Sequence, residues 1–208
     1  MAVEVANDVP MRIGGEAAQS ASGEWLEVRS PATGELVGRV PAGTVADVDR
    51  AVEAARASFR NGAWSRALLS DRCAVLMRLA DLLEREADEL ARIETLQTGS
   101  AYKLRRDSDL PFTIDNLRFF ATAARHLEGK AAAEYSGSHT SLIRREPMGV
   151  VGQVAPWNYP IWMAAWKLGP VEGQGRHAVA VDGDAEGLVG HGPNLRGRRR
   201  GRAGAAGR

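Results

Sequence analysis

The sequence predicts an α/β fold, and three observations carry that prediction. Between residues 44 and 124 apolar side chains recur at steps of three and four, the period of helices that bury one face. Gly149–Val154, GVVGQV, is then an almost unbroken apolar run. Such a run suits a strand buried on both faces of a parallel sheet, since a half-exposed strand alternates. Finally, Pro156 stops the pairing, and Trp157 and Asn158 lead into a second helix-compatible stretch.

The elements follow in order. Met11–Gly14, Trp25–Val28 and Leu36–Val40 are short extended candidates, the last two joined by Ser30-Pro-Ala-Thr-Gly34. That joint is a turn, because proline presets φ and glycine accepts positive φ. Thr44 with Asp47 three residues on has the form of a capping box. Val45, Val48, Val52, Ala55 and Phe59 make one stripe expected to pack on a core, and Asn61-Gly62 is the expected stop. A second helix of about six turns is expected from the cap candidate Ser70, burying Leu76, Leu79, Leu83, Ala87 and Leu90. A third follows Thr98-Gly99, with Leu110, Ile114, Leu117, Ala121 and Ala124 inward and Pro111 tolerable only near a start or a kink. Residues 131–135 and 140–145, joined by Ser136-Gly-Ser-His139, read as a β-hairpin.

From Val171 the composition changes. The last 38 residues hold ten Gly and seven Arg, with no Ile, Phe, Trp, Tyr or Met. So little apolar surface does not offset the entropy of ordering a chain, and a disordered Gly/Arg-rich tail over 171–208 is the expectation.

Charge is distributed just as unevenly. The whole chain carries 27 basic and 26 acidic residues; the last 38 hold seven of the former and four of the latter, leaving 20 and 22 to the first 170. A single cysteine, Cys73, excludes an internal disulfide framework and fits a reducing compartment. The acidic opening MAVEVAND lacks the charge and the apolar run of a signal peptide. The longest apolar patch, around Ile161–Trp166, is far short of the roughly 20 residues that span a bilayer. A cytoplasmic protein with no membrane association is expected.

In an open α/β sheet, ligands bind beyond the carboxyl ends of strands. Val154, Ala155, Pro156, Trp157 and Asn158 occupy that place, and Asn158 brings a neutral amide donor. On the residues alone, Asn158 capping the next helix, and 154–157 serving as a buried strand end, remain open. His126, His139, His177 and His191 have no metal-ligand spacing, so no metal site is expected. Neither a P-loop nor a GxGxxG fingerprint follows a strand.

The run Leu142–Pro160, LIRREPMGVVGQVAPWNYP, together with Ala164–Pro170, AAWKLGP, resembles the NAD(P)-dependent aldehyde dehydrogenases. Its wording is most similar to their aminoaldehyde branch, the betaine aldehyde and aminobutyraldehyde dehydrogenases. The resemblance extends from about Met11 to Pro170. It implies a partial N-terminal cofactor-binding domain over 1–170: an N-terminal hairpin, long helices, an oligomerisation hairpin over 130–147, and the first strand of a Rossmann-like parallel sheet that is never completed.

The resemblance assigns Asn158 as catalytic oxyanion donor and places Val154, Ala155, Pro156 and Trp157 along NAD or NADP, with a proton-relay role open to Lys167 beside a packing one. It implies that an intact parent oxidises a small aldehyde, an aminoaldehyde by branch, and forms homo-oligomers. The family's nucleophilic Cys in its Gln-x-Cys setting, its general-base Glu and its Lys-Pro-Ser-Glu-like motif have no match after residue 170. The expectation is therefore a truncated, inactive form that does not hold NAD tightly, produced by a frameshift near codon 171. Cys73, on an amphipathic helix and outside that setting, is expected to pack rather than react. The alternative is a non-catalytic fragment that associates with an intact relative, or binds nucleic acid through Arg196, Arg198, Arg199, Arg200 and Arg202. Nucleic acid is not favoured, since no aromatic residues interleave with these arginines and the body of the chain is slightly acidic.

Overall fold

A computed structural model describes residues 8–126, 130–143, 146–173 and 177–182. Two antiparallel hairpins open the chain: β1 (Met11–Ile13) with β2 (Glu16–Ala18), and β3 (Trp25–Arg29) with β4 (Leu36–Pro41). The Ser30–Gly34 turn closes with a 2.7 Å bond from the Gly34 N–H to the Ser30 carbonyl, Gly34 taking φ 75°. α1 (Val45–Asn61) starts on the expected capping box and ends at Gly62 in the left-handed conformation. Asp47 does more than cap: it also accepts from Ala21 N–H and Ser20 Oγ and pairs with Arg50 at 2.5 Å. Burial works against its charged form, but the donors from Thr44, Arg50 and Ala21 outweigh it and hold the carboxyl far below the usual range. The α1 stripe differs from expectation. Val45 and Val48 are exposed and Val52, Ala55 and Phe59 only half-buried, so α1 lies on the rim against β7 and β8 rather than in the core.

The expected six-turn helix is two. α2 (Leu69–Arg85) and α3 (Ala87–Thr98) part at Glu86, whose φ −97° and ψ 14° lie outside the helical region. No Pro or Gly marks this break, and the apolar stripe continues in phase across it, which is why periodicity reads one helix. Ser70 is not the cap; α2 starts at Leu69 with no side-chain cap. After Gly99 come a single turn, α4 (Tyr102–Leu104), a π turn over Arg105–Asp109, and α5 (Leu110–Ala123) with Pro111 at its start. The core is made by Leu76, Ala80 and Leu83 of α2, Leu90 and Ala91 of α3, Leu110, Ile114, Leu117 and Ala121 of α5, and Ala165 of α6 (Pro160–Gly173). α5 and α6 meet where Gly169 has no side chain, since a Cβ there would lie 2.6 Å from Phe120 Cδ2.

β5 (Lys130–Ser136) and β6 (His139–Ile143) form the expected hairpin, of which 144–145 lie outside the described residues. β7 (Val150–Ala155) is not the lone strand that was expected. It pairs in parallel with β8 (His177–Asp182), from Val150 opposite His177 to Ala155 opposite Asp182. Disorder from Val171 is thus corrected for 171–173 and 177–182, and the expected boundary after residue 170 falls inside α6. Composition averaged over 38 residues conceals HAVAVD, whose valines favour an extended chain once a neighbouring edge is offered. The arginine cluster at 196–202 and the rest of the tail lie outside the described residues. β7 is also less buried than expected: Gly152 and Val154 are exposed, because among the described residues β7 has a strand along one edge only. No helix of the described residues is long and apolar enough to cross a membrane.

Candidate active site

The carboxyl end of β7 opens onto a turn. Val154 is 55 % exposed, Pro156 exposed, Ala155 and Trp157 half-buried. Trp157 and Asn158 form the turn itself, and α6 begins at Pro160, where a proline costs no hydrogen bond. The Asn158 side chain is exposed and has no hydrogen-bond partner among the described residues. It does not cap α6. That work is done from another element: Glu94 of α3 accepts the Ile161 N–H at 2.8 Å.

Behind the turn lies a buried polar cluster. Arg105, 2 % exposed in the π turn, pairs with the equally buried Asp109 at 2.6 Å. Its Nη2 donates to Ser100 Oγ at 2.6 Å and to the Asn158 carbonyl at 3.2 Å, and its guanidinium lies 5.5 Å from the Tyr159 ring centre. Burial pushes the Glu94 carboxyl above the ordinary glutamate range; the Ile161 N–H and the Arg105 charge oppose that shift without cancelling it.

The residue after Asn158, Tyr159, joins an aromatic cluster. Phe112 and Trp162 rings are 4.3 Å apart, Tyr159 and Trp162 5.1 Å, Trp162 and Trp166 6.0 Å. Phe112, Tyr159 and Trp166 are exposed. Their faces carry negative electrostatic potential and attract cations.

The other candidates lie apart. Cys73 is buried on α2 at 5 % exposure, packed as expected. Lys167 is half-buried, its carbonyl accepting from Gln153 Nε2 at 2.9 Å, and it sits roughly 10 Å along α6 from Pro160 at 1.5 Å per residue. Among the described residues no group of three His, Cys, Asp or Glu is disposed to hold a metal. A dinucleotide fits Val154–Trp157 only in part. The exposed apolar side chain of Val154 suits the ribose and nicotinamide, but residues 150–160 contain no Lys or Arg for a pyrophosphate. Sequence reasoning missed Glu94, Arg105 and the aromatic wall. A signal existed for the first: Glu94 occupies a position in phase with Leu90, Ala91 and Gln97, all buried on α3.

Parallel β7 and β8 joined through α6, with a turn beyond the first strand, make a Rossmann-type βαβ unit. The chain belongs to the aldehyde dehydrogenase family, whose profile matches residues 17–179. It is 45 % identical over 151 residues to the mitochondrial aldehyde dehydrogenase of Sus scrofa, covering 72 % of this chain and 29 % of that protein. It is 38 % identical over 167 residues to the acetaldehyde dehydrogenase of Pseudomonas aeruginosa, covering 80 % and 32 %. The chain thus spans about a third of the length of the curated relatives it matches. Among solved structures, the P. syringae indole-3-acetaldehyde dehydrogenase in complex with NAD+ and IAA superposes with TM-score 0.81 at 38 % identity, covering 85 % of this chain and 36 % of that one. The NAD+ complex of the Bacillus cereus aldehyde dehydrogenase gives 0.79 at 34 %, covering 83 % and 35 %.

Proposed function

We propose that this chain carries the oxyanion-donor and cofactor-side wall of an NAD(P)-dependent aldehyde dehydrogenase acting on a small amino-substituted aldehyde, and that the chain by itself does not turn over. The observation that carries the reading is the Asn158 amide, exposed beyond the carboxyl end of β7 and unpartnered among the described residues, with its capping role taken by Glu94. A neutral amide N–H held there can donate to a carbonyl oxygen as negative charge grows on it; one such donor is typically worth about 10²–10³ in rate. Bound NAD(P) would lie along Val154, Ala155, Pro156 and Trp157 and supply the hydride acceptor. An ammonium on the substrate would meet the exposed faces of Trp166 and Phe112, which supports the aminoaldehyde branch.

Oxidation by this chemistry also needs a thiolate. The chain's one cysteine is a buried thiol on α2, closed to a ligand at the exposed Asn158. The Gly- and Arg-rich composition supports a shifted reading frame, with the junction later than residue 170 because the family match continues to 179. Association of parent subunits through the β5–β6 hairpin and a cytoplasmic location complete the reading, the latter supported by the single free cysteine.

The test is to purify the chain free of host enzymes and follow NAD(P)H formation from 4-aminobutanal and from propanal, beside Cys73→Ala. No turnover is expected; turnover that vanishes with Cys73→Ala defeats the reading of inactivity. Quenching of tryptophan fluorescence by n-butylammonium should be stronger than by n-butanol, and Trp166→Ala should reduce the difference by about 2- to 30-fold in affinity. Equal quenching by both removes the aminoaldehyde assignment. In the DNA, a Lys-Pro-Ser-Glu-like motif followed by Gln-x-Cys in another frame is the expected finding.

A further inference from the structure

We infer that Glu94 and Arg105 are positioning residues, a buried two-point clamp that fixes the Asn158 turn from behind and leaves its amide free at the front. The inference rests on the proposed role of Asn158, and it concerns residues outside the strand and the turn.

The turn from Pro156 to Tyr159 has few constraints of its own. Beyond β7 its backbone leaves the strand, and among the described residues α6 contributes a bond from Met163 N–H to the Tyr159 carbonyl at 2.8 Å and the contact of the Trp162 ring with Tyr159 at 5.1 Å. Two buried charged groups from other elements provide the rest. Arg105 holds the Asn158 carbonyl at 3.2 Å and lies 5.5 Å from the Tyr159 ring centre; Glu94 holds the Ile161 N–H at 2.8 Å. The two grips fall at either end of a four-residue stretch, 158 to 161. That spacing leaves the Trp157–Asn158 turn little freedom to rotate, and so decides where the Asn158 side chain emerges.

The guanidinium is itself held. Asp109 pairs with Nη1 at 2.6 Å, and Ser100 and Thr98 accept from Nη2 at 2.6 and 3.3 Å. Glu94 and Arg105 are 4 % and 2 % exposed. Polar groups so buried are held by the partners they find, and here one partner of each is the backbone of the site. Neither group reaches the exposed face where a ligand would sit, so both act through Asn158.

The experiment uses the 15N-labelled full chain, with the Asn158 side-chain amide assigned by its loss in Asn158→Ala. Wild type is compared with Arg105→Lys, Arg105→Met combined with Asp109→Asn, Glu94→Gln and Glu94→Ala. The double variant avoids stranding a carboxylate. It should displace the Asn158 side-chain signals while the Leu76 and Leu117 amides of the core keep their positions. Glu94→Ala should speed exchange of the Ile161 amide about ten- to a hundredfold, and Glu94→Gln, which keeps an acceptor, should restore its protection. A merely structural role moves core and turn together. Equal acceleration at Ile161 and Leu117, or Asn158 signals unmoved in the double variant, overturns the inference. Should the double variant not fold, Arg105→Lys decides: it keeps the charge and loses the fork, so displaced Asn158 signals over an intact core support the clamp, and unmoved signals overturn it. Propanal titration of the wild type tests Asn158 separately; no movement of its side-chain amide removes the oxyanion role without touching the clamp.

Discussion

Replacing Arg105 with methionine strands a carboxylate. Asp109 is 3 % exposed, and the Arg105 guanidinium at 2.6 Å, itself 2 % exposed, is its charged partner. Breaking a buried pair from one side costs about 3–5 kcal/mol, because the remaining charge has neither water nor a counter-charge. A domain is stable by roughly 5–15 kcal/mol, so Arg105→Met takes a large share of what is available. For a chain of this size each kcal/mol moves the melting temperature by about 2–4 °C, which places the loss at roughly 6–20 °C. Asp109→Asn, which keeps the shape and removes the charge, should cost less. The two together should recover most of the Arg105→Met loss, since removing both partners of a buried pair can be nearly neutral. Urea unfolding followed by far-UV circular dichroism on all four chains gives the double-mutant cycle. A loss below about 1 kcal/mol for Arg105→Met, the worth of a solvent-screened pair, would falsify the burial argument, as would a double variant no more stable than the single.

Two further outcomes follow from the same core. Burial raises the folded-state pKa of Glu94, so its contribution is fully present below the ordinary glutamate value of about 4.3 and is lost as pH rises through the raised folded value; melting of Glu94→Gln relative to wild type should therefore become more favourable as pH rises through that window, and a difference flat with pH counts against it. Gly169→Ala sets a Cβ 2.6 Å from Phe120 Cδ2 and should cost about 1–3 kcal/mol by overpacking α5 against α6, with Phe120→Leu in the same chain recovering part of it; a neutral Gly169→Ala in thermal melts shows that the helices can separate freely.

What the sequence determined by itself was local. Thr44 and Asp47 are three residues apart, so their capping box follows from helix geometry alone, and Gly62 ends α1 because glycine takes positive φ without strain. The strand before Pro156, the turn at Trp157–Asn158 and the family they belong to were legible for the same reason: each is written in adjacent residues. Tertiary structure decided the rest. The break at Glu86 has no breaker residue, and β8 exists because β7 offers an edge to HAVAVD. Arg105 reads as a surface charge until Asp109, Ser100 and the Asn158 carbonyl are gathered round it, the last from 53 positions away. Glu94 shares the buried phase of α3, but its partner at Ile161 is 67 residues distant. A buried charge is defined by what surrounds it, and those surroundings come from segments whose meeting no local pattern records.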